Sequence, residues 1–334
     1  MTQLRFKNRN LALQAHESVL DCLLRNGEAI PYACKAGMCQ ACLIRAVDCE
    51  ATAESRKWIK PALQARGYSL ACQWVPENDA AAVLPSVEEF SVAVRISELQ
   101  PLNPQVQRVR LQPEDPARMF AYRPGQYLTL INPEGCVRSY SIANDFELDH
   151  FVELHISTTT HGEFTRWLFT KAHTGMLLHM RGPAGDCYYS NLEGNAHPLL
   201  LAGTGTGLAP LYGIARDALR QQHTGSIHLY HGGRTAAQLY YVNELQQLER
   251  EHPQFHYHPC AAEAEKISGN TPGLLQGRLE PLIAAGHDTA LLPQTRIHLC
   301  GAPDFVHGMR KRLFLKGARS GNIHCDPFTE RSVA

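Results

Sequence analysis

The sequence predicts a multidomain chain of mixed class: a cysteine-rich α+β unit, then an antiparallel β unit, then a parallel α/β unit. Three observations predict it. Six of the eleven cysteines fall before residue 73. From Phe90 the chain reads as alternating strands, SVAVRIS and QRVRLQP, with the period of two that puts every other side chain on one face. From Leu199 apolar strands (PLLLAG, SIHLYHG, TRIHLCG) alternate with helical stretches (APLYGIARDALRQ, AQLYYVNELQQLER, PDFVHGMRKRLFLKG), the order that builds a parallel sheet.

Length agrees, because 334 residues at roughly 100–200 per domain make two or three domains. The changes of texture place them near 1–84, 90–195 and 196–334. The stretch VPENDAAAVLPSVEEF, Val75 to Phe90, reads as a linker from its prolines, acids and small residues. The 32 basic and 32 acidic residues cancel, so no basic stripe points to nucleic acid and no like-charge block to a disordered tail. The opening MTQLRFKNRN is too polar for a signal peptide, and the most apolar stretch, Pro198 to Ala215, is interrupted by four glycines and does not read as a membrane span. A cytoplasmic protein is expected. An odd number of cysteines without a secretory signal favours metal or redox chemistry over a disulfide framework.

In the first unit, Cys34, Cys39 and Cys42 lie in CKAGMCQAC, and Cys72 follows after 29 intervening residues in LACQWVP. This is the plant-type C-x4-C-x2-C…C spacing of a [2Fe–2S] cluster. Two irons need four thiolates, three from one tight loop and one returning from elsewhere. Gly37 suits a loop wrapped that closely. A structural zinc site would favour two CxxC-like pairs, and the second pair is missing. Cys22, in an apparent helix ending at Gly27, reads as core.

In the second unit, RPGQYLTL and RSYS stand out. Arginine can pair with a phosphate, and tyrosine offers a flat face to a planar ring. Further on, Gly162 and Thr165 precede the apparent helix TRWLFTKA, where free amides and the helix dipole suit an anion; for Thr165 alone, an ordinary N-cap is the better account. In the third unit a buried strand feeds the loop of Gly203, Thr204, Gly205, Thr206 and Gly207. Its GxGxG spacing lets backbone approach a dinucleotide phosphate but does not meet the GxGxxG fingerprint, and no acid ends the second strand. His256 and His258 share a strand face with no third ligand evident, so a solvated strand is expected there.

Taken in order, CKAGMCQAC, RPGQY, RSYS, the Gly162–Thr165 helix start, RGPAGDCYY, AGTGTGLAP and IHLCGAP resemble the ferredoxin reductase-type reductase components of bacterial oxygenases. The resemblance covers nearly the whole chain, which has Gln40 and Thr204 where that family commonly has glycine. It implies a β-grasp ferredoxin domain, a six-stranded antiparallel barrel binding FAD, and a parallel α/β nicotinamide-binding domain. Arg138 would hold the pyrophosphate, Tyr140 would lie against the isoalloxazine and Ser141 near its reactive edge. Ser139, His155, Ile156, Ser157, Gly162, Glu163, Phe164 and Thr165 would complete the flavin site. Cys300, Gly301 and Pro303 would lie near the nicotinamide and Arg234 near the adenosine ribose. Arg234 suits a 2′-phosphate, but NADH enzymes of the family carry an arginine there too, and NADH is the donor expected over NADPH. Phe328 would stack on the flavin, or simply close the last strand.

The implied activity is hydride transfer from NAD(P)H to FAD, then single electrons to the chain's own cluster and on to an oxygenase, hydroxylase or separate ferredoxin. Flavin must stand between the other two carriers, because nicotinamide gives two electrons together and the cluster accepts one. Two other functions compete: a general NAD(P)H:acceptor reductase with no dedicated oxygenase, and a non-catalytic iron–sulfur scaffold or sensor.

Overall fold

The computed structural model describes residues 2–59, 61–85, 91–158, 162–191, 194–263, 271–286 and 292–328. Three sheets follow one another along the chain. The first has five strands, β1 (Gln3–Phe6), β2 (Arg9–Ala12), β3 (Leu43–Ala46), β4 (Tyr68–Leu70) and β5 (Ala80–Val83), in the order β2-β1-β5-β3-β4. A helix, Val19–Arg25, packs on it. Ser18 caps that helix by accepting the Asp21 amide at 3.1 Å. Its buried face, Val19, Leu20, Cys22 and Leu23, joins Leu4, Phe6, Tyr68 and Trp74 in one core.

β5 corrects the linker expectation. Ala80–Val83 pairs in parallel with β1 and antiparallel with β3, in the middle of the sheet. Three alanines have poor strand propensity, but their small side chains let a strand close in under the helix and its core. The rest of the expected linker ends in residues 86–90, which lie outside the described residues.

The second sheet has β6 (Val92–Asn103), β7 (Val106–Pro113), β8 (Tyr127–Ile131), β9 (Val137–Ser141), β10 (Val152–Ser157) and β11 (Leu177–Ala184), in the order β10-β7-β6-β11-β8-β9. Every pairing is antiparallel, and a bridge between Ile142 and Leu154 brings the two edges together into a barrel. Alternate residues, among them Val94, Ile96, Val109, Leu111, Leu128 and Leu130, fill the interior. The helix Glu163–Thr170 adds Phe164, Trp167 and Leu168 to that core.

The third sheet is parallel throughout: β12 (Leu199–Thr204), β13 (Ile227–Gly233), β14 (Phe255–Ala261), β15 (Leu275–Gln276), β16 (Arg296–Gly301) and β17 (Ile323–Pro327), ordered β15-β14-β13-β12-β16-β17. β12 is covered on both faces, Leu199 and Leu201 by one core and Leu200 and Ala202 by another, which is why it reads as a continuous apolar run. The strand order reverses beside β12, and ligands bind such sheets in the crevice past the carboxyl ends at that point. Among the described residues no helix is long and apolar enough to cross a membrane.

Candidate active site

One cleft of about 1640 Å³ is lined by all three units. That exceeds an ordinary small-molecule pocket and suits two dinucleotide-sized ligands.

The cysteine loop forms one end. Cys34 and Cys39 are in thiol contact, as are Cys42 and Cys72. Among the described residues no three His, Cys, Asp or Glu side chains converge as ligands of a single metal ion. Two pairs suit two irons and not one zinc. The loop's amides turn toward the sulfurs: Ala36 and Cys39 donate to Cys34 Sγ at 3.3 and 3.4 Å, and Cys34 donates to Cys39 Sγ at 3.5 Å. With the Cys39 thiol and these amides as donors, Cys34 falls to about 5. Cys72 falls to about 7, through the Cys42 thiol first and then Gln73 and the Gly37 amide. Gly37 has φ +81°, and a Cβ there would stand 3.1 Å from the Gln73 side chain, so the turn requires glycine. Gln40, where the resemblance has glycine, adopts the left-handed φ of 55° and ties its Nε2 to the Trp58 carbonyl at 2.8 Å.

The barrel supplies the middle of the cleft. Arg138, Ser139, Tyr140 and Ser141 on β9 line it together with His155, Ser157, Gly162, Glu163 and Thr165. An arginine beside a helix start whose N-cap, Gly162, carries no side chain is a donor set that fits a pyrophosphate. Tyr140 packs against Phe164 at 5.4 Å, and burial raises its phenol. Ile156 and Phe164 face the barrel core and do not line the cleft.

His155 also anchors a buried network at the seam with the third unit. Its Nε2 lies 3.2 Å from Glu153 Oε1 and its Nδ1 3.1 Å from the Tyr240 hydroxyl. Glu153 accepts further from Arg110 Nε at 2.8 Å and the Tyr241 hydroxyl at 2.8 Å. Burial pushes His155 down, so it is a neutral imidazole that donates to Glu153 and accepts from Tyr240. Burial also opposes the Glu153 charge, but its hydrogen bonds and Arg110 outweigh this and bring it to about 2.

The third unit closes the far wall. Of the glycine loop, Thr204, Gly205 and Thr206 line the cleft, while Gly203 and Gly207 are packed behind it. A Cβ on Gly207 would stand 2.4 Å from the Cys300 carbonyl, so that glycine serves strand–helix packing. Arg234 and Gly301 line the cleft; Pro303 starts a helix outside it. Cys300 is fully buried behind Cys187, Sγ to Sγ 3.6 Å, and of this pair it is Cys187 that lines the cleft. Phe328 lines the cleft, its amide bonded to the Gly301 carbonyl at 2.8 Å. His256 and His258 lie in a partly buried aromatic stack with His228, whose Nδ1 is 3.1 Å from His258 Nε2.

Sequence reasoning missed Asp326 and Thr129. Ser141 donates to Asp326 Oδ2 at 2.6 Å across 185 residues of sequence. Burial raises the Asp326 carboxyl to about 6, with Ser141 pulling it down and Asp186 pushing it up. Asp326 lies near the end of β17, which stops at Pro327, one residue before Phe328. Thr129, on β8, donates to the carbonyl of Cys39 at 3.1 Å.

Fold and cleft together define an iron–sulfur flavoprotein oxidoreductase served by a nicotinamide dinucleotide. Residues 5–77 match the 2Fe-2S iron-sulfur cluster binding domain, 93–189 the oxidoreductase FAD-binding domain and 201–311 the oxidoreductase NAD-binding domain. The chain is 30% identical over 328 residues, 96% of each chain, to the ferredoxin–NAD(P)+ reductase component of the naphthalene 1,2-dioxygenase system of Pseudomonas putida. It is 28% identical, over 98% of each chain, to the corresponding component of the naphthalene 1,2-dioxygenase/salicylate 5-hydroxylase systems of Ralstonia sp.. Among solved structures, the cytochrome P450 reductase of Amycolatopsis superposes with a TM-score of 0.69 at 27% identity, covering 98% of this chain and 99% of that one. The chain belongs to the family of ferredoxin–NAD(P)+ reductase components, oxidoreductases that use FAD, a [2Fe–2S] cluster and NAD(P)H.

Proposed function

We propose that this protein takes hydride from NADH and delivers single electrons, through its cluster, to the oxygenase or ferredoxin component of an oxygenase system. The observation that carries the reading is the shared cleft: the cysteine loop, the Arg138–Ser141 strand and the nicotinamide loop all line it. Bound FAD supplies the conversion between a hydride and single electrons.

The protein's own residues position and insulate. Arg138 and the Gly162 helix start would hold the flavin pyrophosphate, and Tyr140 would lie along the ring. Thr204, Gly205 and Thr206 receive the dinucleotide phosphates. Arg234 is offset by Glu263, 3.9 Å away, and Arg278 by Glu280, 3.4 Å away. A carboxylate beside each arginine weakens the attraction a 2′-phosphate would feel and favours NADH. Phe328, on the cleft wall beside Gly301, would supply an aromatic face to the flavin. Ser141 and Asp326 form a hydroxyl–carboxyl pair at the reacting edge. Burial brings the Asp326 carboxyl up to about 6, within reach of the working pH, and its bond to the Ser141 hydroxyl would let the pair exchange a proton with a flavin bound there. Cys300, raised well above an ordinary thiol by burial, stays neutral and packs behind Cys187.

Reconstitution tests the partner. The purified protein is mixed with NADH and either an oxygenase component or a small ferredoxin from the same cell. NADH-dependent reduction of one of them at catalytic rates is expected. Fast dye reduction with no reduction of either component would contradict an oxygenase role.

A further inference from the structure

The seam between barrel and cysteine loop holds a contact that the cofactor assignments do not require. β8 presents Tyr127 and Thr129 on one face. Tyr127 donates its hydroxyl to the Met38 carbonyl at 2.8 Å, and Thr129 donates to the Cys39 carbonyl at 3.1 Å. Thr129 Oγ1 is also 3.0 Å from Ser139 Oγ, its cross-strand partner. A hydroxyl carries one proton. With the Thr129 proton on the Cys39 carbonyl, Ser139 must donate to Thr129. The result is a directed relay, Ser139 to Thr129 to Cys39, from the flavin strand to a cluster ligand. Ser139 faces the cleft, and the rest of the relay is shielded from water: Thr129 is 4% exposed and lies beside the small buried apolar cluster of Cys39, Ala41, Ile131 and Val137.

We propose that Thr129 is the positioning residue for the electron step between flavin and cluster. Its hydroxyl fixes the Cys39 backbone against the flavin strand and provides the hydrogen-bonded route between the two redox sites. The step moves one electron from reduced flavin to oxidised cluster; the flavin is oxidised, the cluster reduced, and no bond to the protein forms or breaks. The pin is uncharged, so it holds the loop without adding a charge that would shift the cluster's potential. The inference rests on the cluster lying at Cys34, Cys39, Cys42 and Cys72 and the flavin along Arg138–Ser141.

Iron and flavin contents of each preparation, measured first, test that assignment separately. The experiment compares wild type, Thr129→Val and Thr129→Ser by rapid anaerobic mixing with NADH, following flavin and cluster bleaching. In Thr129→Val the ratio of the flavin-to-cluster rate to the hydride rate is expected to fall about tenfold, the loss of docked population that follows from one buried hydrogen bond of about 1.4 kcal/mol. Thr129→Ser, which keeps the hydroxyl, restores the ratio. Amide hydrogen exchange in the loop 33–41 should quicken in Thr129→Val and not in Thr129→Ser. An unchanged ratio, a Ser variant as slow as Val, or both steps slowing equally would overturn the proposal. Should Thr129→Val not fold, Thr129→Ala removes the same hydroxyl with a smaller side chain, and an unchanged ratio there overturns it equally.

Discussion

The barrel meets its two neighbours through seams of opposite character. Toward the nicotinamide unit it buries charge: Glu153 with Arg110, His155 and Tyr241, and Arg108 with Glu98. Arg216 adds a fork onto Asp149 at 3.0 and 3.2 Å. Toward the cysteine loop it packs Ile131 and Val137 on Cys39 and Ala41 and makes two neutral hydroxyl-to-carbonyl bonds. Buried charges are costly unless their geometry is held, so a network of them fixes one arrangement rigidly. Hydride transfer needs that rigidity, because misplacement by about 1 Å costs on the order of 100-fold. An iron–sulfur site is sensitive to nearby charge, and the two bonds that pin the loop carrying it are neutral.

The comparison breaks most completely at the cluster. Cys72→Ser should lose the iron while flavin content and hydride uptake persist, because the charged seam is untouched. Iron assay and flavin absorbance check this; intact iron would remove Cys72 as the fourth ligand. Next in size is Glu153→Gln, which leaves Arg110 and Tyr241 facing a neutral group. It should destabilise the protein by about 3–5 kcal/mol, read by denaturant unfolding, with the barrel and nicotinamide units separating first. A loss under about 1 kcal/mol would mean the network holds no rigid seam.

The same network gives a pH signature. Glu153 is lowered from 4.5 to about 2 in the folded state, so its contribution, about 3 kcal/mol, is present above pH 4.5 and is lost as pH falls toward 2. Asp326 has the opposite sign. Raised from 3.8 to about 6, it favours the folded state below 3.8 and loses that advantage as pH rises through 6, again about 3 kcal/mol. Asp326→Asn should abolish the upper slope of stability against pH and leave the lower one; Glu153→Gln should do the reverse. Smallest is Gln40→Gly. Relief of the left-handed backbone, about 1 kcal/mol, offsets the lost bond to Trp58, about 1 kcal/mol. The melting temperature should barely move, and a large shift in either direction would show that one of the two effects is absent.

What could be read from the sequence follows from how far apart the partners lie. The four cysteines were legible because three share one loop and their spacing is itself the chemistry. Arg138, Tyr140 and Ser141 acquired meaning only from the order of several motifs. Thr129 and Asp326 were invisible, since their partners lie 90 and 185 residues away; alternation shows which face a side chain takes but not what faces it. β5 was read as linker because alanine has no strand signature, and its place was decided by pairing on both sides. In the glycine loop the sequence showed three glycines alike, while packing divides them between the cleft and the Cys300 backbone.

The central claim is that one chain carries electrons from nicotinamide through flavin to its own cluster. An anaerobic titration of the purified protein with NADH, followed by visible spectroscopy with iron and flavin assayed on the same sample, tests it most directly. Both cofactors are expected to be present and both to bleach, the flavin leading and the cluster following. Flavin that bleaches beside an intact cluster that stays oxidised would contradict the account.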